Sequence, residues 1–186
     1  GPMISVEQLW IPILLAAVLV FVASSLVHMV FKWHNSDYRK LANEDEVRAA
    51  IRSASPVPGQ YVIPYCMDPK DLKKDELQQK FKEGPVGFLT LRQPAAPSMG
   101  KPLVMWFLLN LIIAVVAGYL ACKTVPAGAS FLAVCRVVSL ATFLAYACSG
   151  LQGAIWMGKP WSSAAKEVLD ALIYALVSAL AFAWLW

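Results

Sequence analysis

Arg136 lies inside an apolar run, residues 129–147, that is long enough to cross a bilayer. Lys166, Glu167 and Asp170 lie near the start of another, residues 164–186. A charged side chain at the centre of a bilayer costs roughly 2.5–3.5 kcal/mol on insertion scales, so such a residue has a partner or a task. In a low-dielectric medium, an arginine and two acids can pair, share a proton or carry an ion. Glu167, Asp170, Tyr174 and Ser178 recur near the helical period. They therefore share one face, and that face should avoid lipid.

Depth bears on whether Arg136 meets Asp170. At about 1.5 Å per residue, Arg136 lies about 10–12 Å below one face of the hydrocarbon and Asp170 about 9 Å below the other. In a core of about 30 Å this leaves roughly 10 Å along the normal, which an extended arginine and some helix tilt cover. Three readings stand for Arg136: a salt bridge to Asp170 that sets helix register, snorkelling to the outer interface, or a working ion or proton site. Glu167 falls in the first turn of its expected helix, where an acid complements the helix dipole. Asp170, one turn deeper, is the better functional candidate.

Two further polar residues stand at apolar positions, His28 and Asn110. His28 reads as an interfacial histidine. The other histidine, His34, lies beyond the expected membrane edge, so a bis-histidine haem is not expected. No G-x-S-x-G, H-E-x-x-H or phosphate-loop pattern occurs. The turn at residues 158–161 is too short and glycine-poor to cradle a phosphate. Cys66, Cys122, Cys135 and Cys148 have no C-x-x-C spacing and read as small apolar residues. No catalytic residue, metal or cofactor is expected.

The elements that must position these residues follow from hydropathy. The chain is 59% hydrophobic, with a mean hydropathy of +0.58, and the excess is concentrated in four blocks. Residues 9–31, 102–122, 129–156 and 164–186 each approach the roughly 20 residues a membrane-spanning helix needs. All seven tryptophans (10, 33, 106, 156, 161, 184 and 186) lie at or near block ends, as an aromatic belt requires. Residues 1–8 read as a tag scar, Gly1-Pro2, followed by an external tail. The tail lacks the basic region of a signal peptide.

Residues 32–101 hold twelve Lys or Arg against nine Asp or Glu. Positive charge beside the first helix places this segment in the cytoplasm and both termini outside. So mild a charge excess does not suit nucleic acid. Asn43 followed by Glu46 is a capping-box signature, opening a helix over residues 44–53. Residues 60–65 and 86–92 read as strands, with a helix between them from residue 68 or 69 to 83.

Small residues recur every fourth position in three blocks: Asn110, Ala114, Gly118 and Cys122; Ala141, Ala145, Ser149 and Gly153; Ala171, Ala175, Ala179 and Ala183. Such ladders let membrane helices pack closely, within one chain or between copies in a homo-oligomer. The expected fold is an all-α membrane protein with four transmembrane helices and a small α/β cytoplasmic insertion between helices 1 and 2. The expected role is structural or accessory, with the insertion docking a partner protein. The alternative is a small oligomeric transporter or channel that uses the polar face of the last helix.

Overall fold

Residues 1–186 are described by a computed structural model. In chain order the elements are helix α1 (Val6–Phe31), helix α2 (Glu44–Ser53), strand β1 (Gly59–Ile63), helix α3 (Asp75–Glu83), strand β2 (Gly87–Leu91), and helices α4 (Gly100–Thr124), α5 (Phe131–Met157) and α6 (Trp161–Trp184). Helices α1, α4, α5 and α6 are each long and apolar enough to cross a membrane. The chain forms two compact units, Gly1–Tyr38 with Ser98–Trp186, and Arg39–Pro97.

The first unit is a four-helix bundle in which α1 packs on α4 and α6, and α5 packs on α4 and α6. Its apolar core gathers at one end, around Leu9, Ile13, Ala121, Val134, Val138 and Phe182. Two of the three small-residue ladders face this interior. Asn110, Ala114, Gly118 and Cys122 are all buried, as are Ala171, Ala175 and Ala179. A Cβ on Gly118 would come within 3.0 Å of the Phe182 ring, so the absent side chain makes room for the largest fully buried one. The expected ladder on α5 is not the packing face. Val134, Val138, Thr142, Ala147, Gly150 and Ala154 are buried instead, while Ala145 and Ser149 are exposed. Larger β-branched residues fill that half of the seam, so small size alone does not identify a contact.

Ser130 caps α5 by accepting from the Ala133 N–H at 3.3 Å, satisfying a donor the first turn leaves open. At the other end Gly158 adopts a left-handed φ of 68°, and the Lys159 N–H returns to the Gly153 carbonyl at 3.2 Å. This is the usual glycine-terminated helix end. Pro160 then stands before α6, which opens at Trp161, three positions before the apolar block. Pro160 disfavours helical geometry at Lys159, so the helix opens directly after the proline and not at the hydropathy edge, and Glu167 and Asp170 lie correspondingly deeper in the helix than expected.

Helix α1 changes winding along its length. Trp10–Ser25 is α-helical and Leu26–Phe31 is a π-type turn. Lys32 then takes a left-handed φ of 56°, and the 3-10 turn Trp33–Asp37 follows. A left-handed residue breaks the helix, so the chain folds back on itself and does not run straight out of the bundle.

In the second unit β1 and β2 pair antiparallel, with Gly59 opposite Leu91 and Ile63 opposite Gly87. Helix α2 spans the expected residues, but Asn43 does not cap it with its side chain. Its Nδ2 instead donates to Glu46 Oε2 at 3.3 Å. The expected helix over residues 68–83 is broken into a short turn, Asp71–Lys73, and α3, which ends at Gly84 with φ of 68°. No residue of this unit is buried.

Candidate functional site

The polar side chains of the bundle collect at the end opposite the Phe182 core. The π-type turn of α1 carries His28, the 3-10 turn after it carries Trp33, His34 and Asp37, and α6 supplies Lys166, Glu167 and Asp170. Asp170 is 5% exposed and its two oxygens have different partners. Trp33 Nε1 donates to Oδ1 at 2.9 Å. His34 Nε2 meets Oδ2 at 2.5 Å. The other ring nitrogen of His34, Nδ1, lies 2.7 Å from Asp37 Oδ2. Lys166 Nζ donates to Asp37 Oδ1 at 2.7 Å, to Ser36 Oγ at 2.7 Å and to the Trp33 carbonyl at 2.8 Å. One continuous network therefore runs Lys166–Asp37–His34–Asp170–Trp33, and it holds the 3-10 turn onto α6.

The electrostatics follow from these contacts. The Lys166 ammonium beside Asp37 holds that carboxyl down at about 2, and His34 adds to the effect. Burial pulls the His34 imidazole down, but its hydrogen bonds to Asp37 and Asp170 and their negative charge outweigh this, so its pKa is raised overall. His34 thus bridges two carboxyl groups, with the Lys166 amine beside one of them.

His28 lies against this network. Its ring stacks on His34, with centroids 5.0 Å apart and planes 9° from parallel. His28 Nδ1 lies 2.8 Å from the Ser24 carbonyl, and because a carbonyl only accepts, Nδ1 carries the hydrogen. One donor atom each from His28, His34 and Asp170 all lie within 4.8 Å of one another. A cavity of about 370 Å³ opens beside them, bordered also by Asp37, Lys159 and Glu167. Glu167 pairs with Lys159 and presses against Gly150, where any added side chain would collide with its carboxylate.

A second cavity of about 480 Å³ meets the first at His28, Glu167 and Asp170 and is walled by Met29, Leu103, Trp106 and Tyr174. Trp106, Tyr146 and Tyr174 form an edge-to-face cluster with centroids 5.2–6.2 Å apart. Trp106 Nε1 donates to Ser24 Oγ at 2.8 Å and the Tyr146 hydroxyl to Asn110 Oδ1 at 3.0 Å. Asn110 is 1% exposed and its Nδ2 has no partner.

The structure thus brings together Asp170, Glu167, Tyr174 and His28, all named from sequence, with Asn110 one layer beneath. Ser178 is buried further along α6. Arg136 is not part of the cluster. It is exposed and has no acid within ion-pairing distance. Val134 and Val138 face the interior, and a residue two positions from each points about 200° away. Arg136 therefore does not face Asp170 in this chain. Lys166 likewise serves Asp37 and not its i, i+4 neighbour Asp170.

Sequence reasoning missed Trp33, His34 and Asp37. The clustering of three hydrogen-bonding side chains within five residues, just past an apolar block that carries His28 near its end, was the available signal. Comparison with protein-family models, with curated proteins and with solved structures finds no match for this chain.

Proposed function

We propose that the protein is a multi-pass membrane component with an accessory role, in which Arg39–Pro97 docks a partner protein at the cytoplasmic face. One observation supports this reading above the others: an ordered unit of two helices and a sheet buries none of its residues. Ordering a backbone costs about 1–2 kcal/mol per residue. A unit this small offsets that cost only with a dense core, disulfides, a metal or a partner. Cys66 is its single cysteine, so no internal disulfide is available. Tyr65 at 75% and Met67 at 73% exposure, with Val57 and Phe88 also exposed, offer the apolar surface such a partner would cover. The basic residues Lys32, Arg39 and Lys40 support the cytoplasmic assignment.

Hydrogen exchange tests the reading. Amides of β1 and β2 should exchange freely in the purified chain and become protected in native membranes. Deleting residues 44–92 should leave the bundle folded and abolish cross-linking to the partner. Strand protection in the purified chain equal to that of α5 and α6 would remove the need for a partner.

A second reading has its own observation. The face of α6 that carries Glu167, Asp170 and Tyr174 borders both cavities, as an ion- or solute-handling site requires. The opposite end of the bundle is packed with apolar residues, so a transport path would need several copies or a second state. Flux in proteoliposomes that Asp170→Asn abolishes would favour it. Absent flux, or flux that the substitution leaves unchanged, would sink it.

A further inference from the structure

We propose that His28, His34 and Asp170 form a binding site for one divalent transition-metal ion of the zinc type, with an open position facing the adjoining cavity. The proposal deepens the second reading above, on which it rests only for solvent access to the polar face of α6.

Three features of the geometry carry it. The first is convergence: donor atoms from the three residues lie within 4.8 Å of one another. A tetrahedral ion with bonds of about 2.0–2.2 Å needs its ligand atoms roughly 3.3 Å apart. The two imidazoles stack with planes 9° from parallel and centroids 5.0 Å apart, so His28 must turn out of the stack to bring its in-plane Nε2 lone pair onto the ion shared with His34 and Asp170.

The second is the state of the two imidazoles. A metal-bound histidine usually donates its other ring N–H to a carbonyl or carboxylate, which fixes the tautomer and the ring orientation. Both histidines here already do so. His28 Nδ1–H is held by the Ser24 carbonyl at 2.8 Å and His34 Nδ1–H by Asp37 at 2.7 Å. Each ring is left with Nε2 as its ligating nitrogen. Trp33 occupies Asp170 Oδ1, which leaves Oδ2 to bind the ion. His34 Nε2 and Asp170 Oδ2, 2.5 Å apart, now share a proton where the metal would sit.

The third is the donor set itself. Two imidazoles and one carboxylate select zinc, iron(II) or a related ion over calcium and magnesium, which prefer all-oxygen shells. Three protein ligands leave one position open, as in sites that bind water or a substrate on the metal. Here that position faces a cavity of about 370 Å³ that also holds Glu167 and Lys159. The π-type turn of α1 is what places His28 there; single π turns recur at functional sites.

Equilibrium binding of Zn2+ and Co2+ to the purified full-length chain in detergent tests the site. One equivalent per chain is expected, with visible Co2+ bands and no thiolate charge-transfer band. His34→Ala and Asp170→Asn should remove binding. Asp37→Asn, which removes no ligand but weakens the support of His34 and the Lys166 ion pair, should weaken it by about 10–100-fold. Because all three variants also disturb the network that holds the turn, two measurements on the intact sequence stand apart from them. These are the stoichiometry, and a rise in Tm on adding Zn2+ that Cys66→Ser, Cys135→Ser and Cys148→Ser leave unchanged. No binding by the intact chain, binding that persists in His34→Ala, or a thiolate-to-cobalt band would each overturn the site. Binding needs no flux, so a chain that binds zinc but moves no solute loses only the transport reading.

Discussion

The four-helix bundle buries Phe182, Val134 and Val138 completely, whereas the insertion at Arg39–Pro97 buries none of its residues. Both are ordered, but different interactions order them. In the bundle, side chains interlock across helices: Gly118 yields space to Phe182, and Asp170 on α6 accepts from residues more than a hundred positions away. In the insertion, order is local. It comes from backbone pairing of β1 with β2, the left-handed Gly84 that ends α3, and exposed pairs such as Lys80–Glu76. The difference teaches where a substitution will matter: widely in the bundle, and hardly at all in the insertion until something covers it.

The largest effect is expected at Phe182. Phe182→Ala should destabilise the bundle by about 3–5 kcal/mol through the cavity it leaves, read as a shift in the denaturation midpoint in mixed micelles. Phe88→Ala, the same chemical change in the insertion, should stay within about 0.5 kcal/mol. Equal effects would break the contrast between the two units.

Next comes the His34–Asp170 contact. Removing one member of a buried pair leaves the other without compensation, typically at about 3–5 kcal/mol. Asp170→Leu and His34→Leu should each be costly, and the double variant should cost clearly less than the two together. Strict additivity in the cycle would show that the contact carries no coupling.

The pH dependence of bundle stability should follow the same groups. Asp37 is held at about 2, below the ordinary 3.8, so its contribution is present above 3.8 and is lost as pH falls towards 2. His34 is raised from 6.5, so its contribution is complete below 6.5 and is lost as pH rises through the higher folded value. Thermal melts across the pH range should show a plateau between these limbs. Asp37→Asn should flatten the acid limb and His34→Gln the alkaline one. Limbs that survive those substitutions would assign the dependence to other groups.

The smallest effect is expected at Arg136. Arg136→Leu should change stability by no more than about 0.5 kcal/mol and should add simply to Asp170→Leu. A coupling between the two would contradict the outward placement of Arg136.

How much of the protein was legible in its sequence differs by element. Hydropathy located all four long helices, because a twenty-residue apolar block has few alternatives to a helix. The polar stripe of α6 was legible for a related reason, since the helical period carries Asp170 and Tyr174 to one face whatever packs against it. The choice between pairing with Asp170 and snorkelling stayed open for Arg136 because depth along the bundle is computable from sequence, while rotation about the helix axis depends on the residues that pack. Trp33, His34 and Asp37 were not legible because the left-handed Lys32 turns the chain back over the end of the bundle, and nothing in the neighbouring side chains demands that turn.

The sequence by itself determined the number and place of the apolar helices, the polar face of α6 and the small-residue faces of α4 and α6. These depend on composition and on a fixed period along one helix. Only the tertiary structure decided that His28 and His34 stack beside Asp170, that Lys166 serves Asp37, and that Arg136 stands apart. Those facts depend on how separate helices rotate and where the chain reverses, which is set by contacts between residues far apart in the chain.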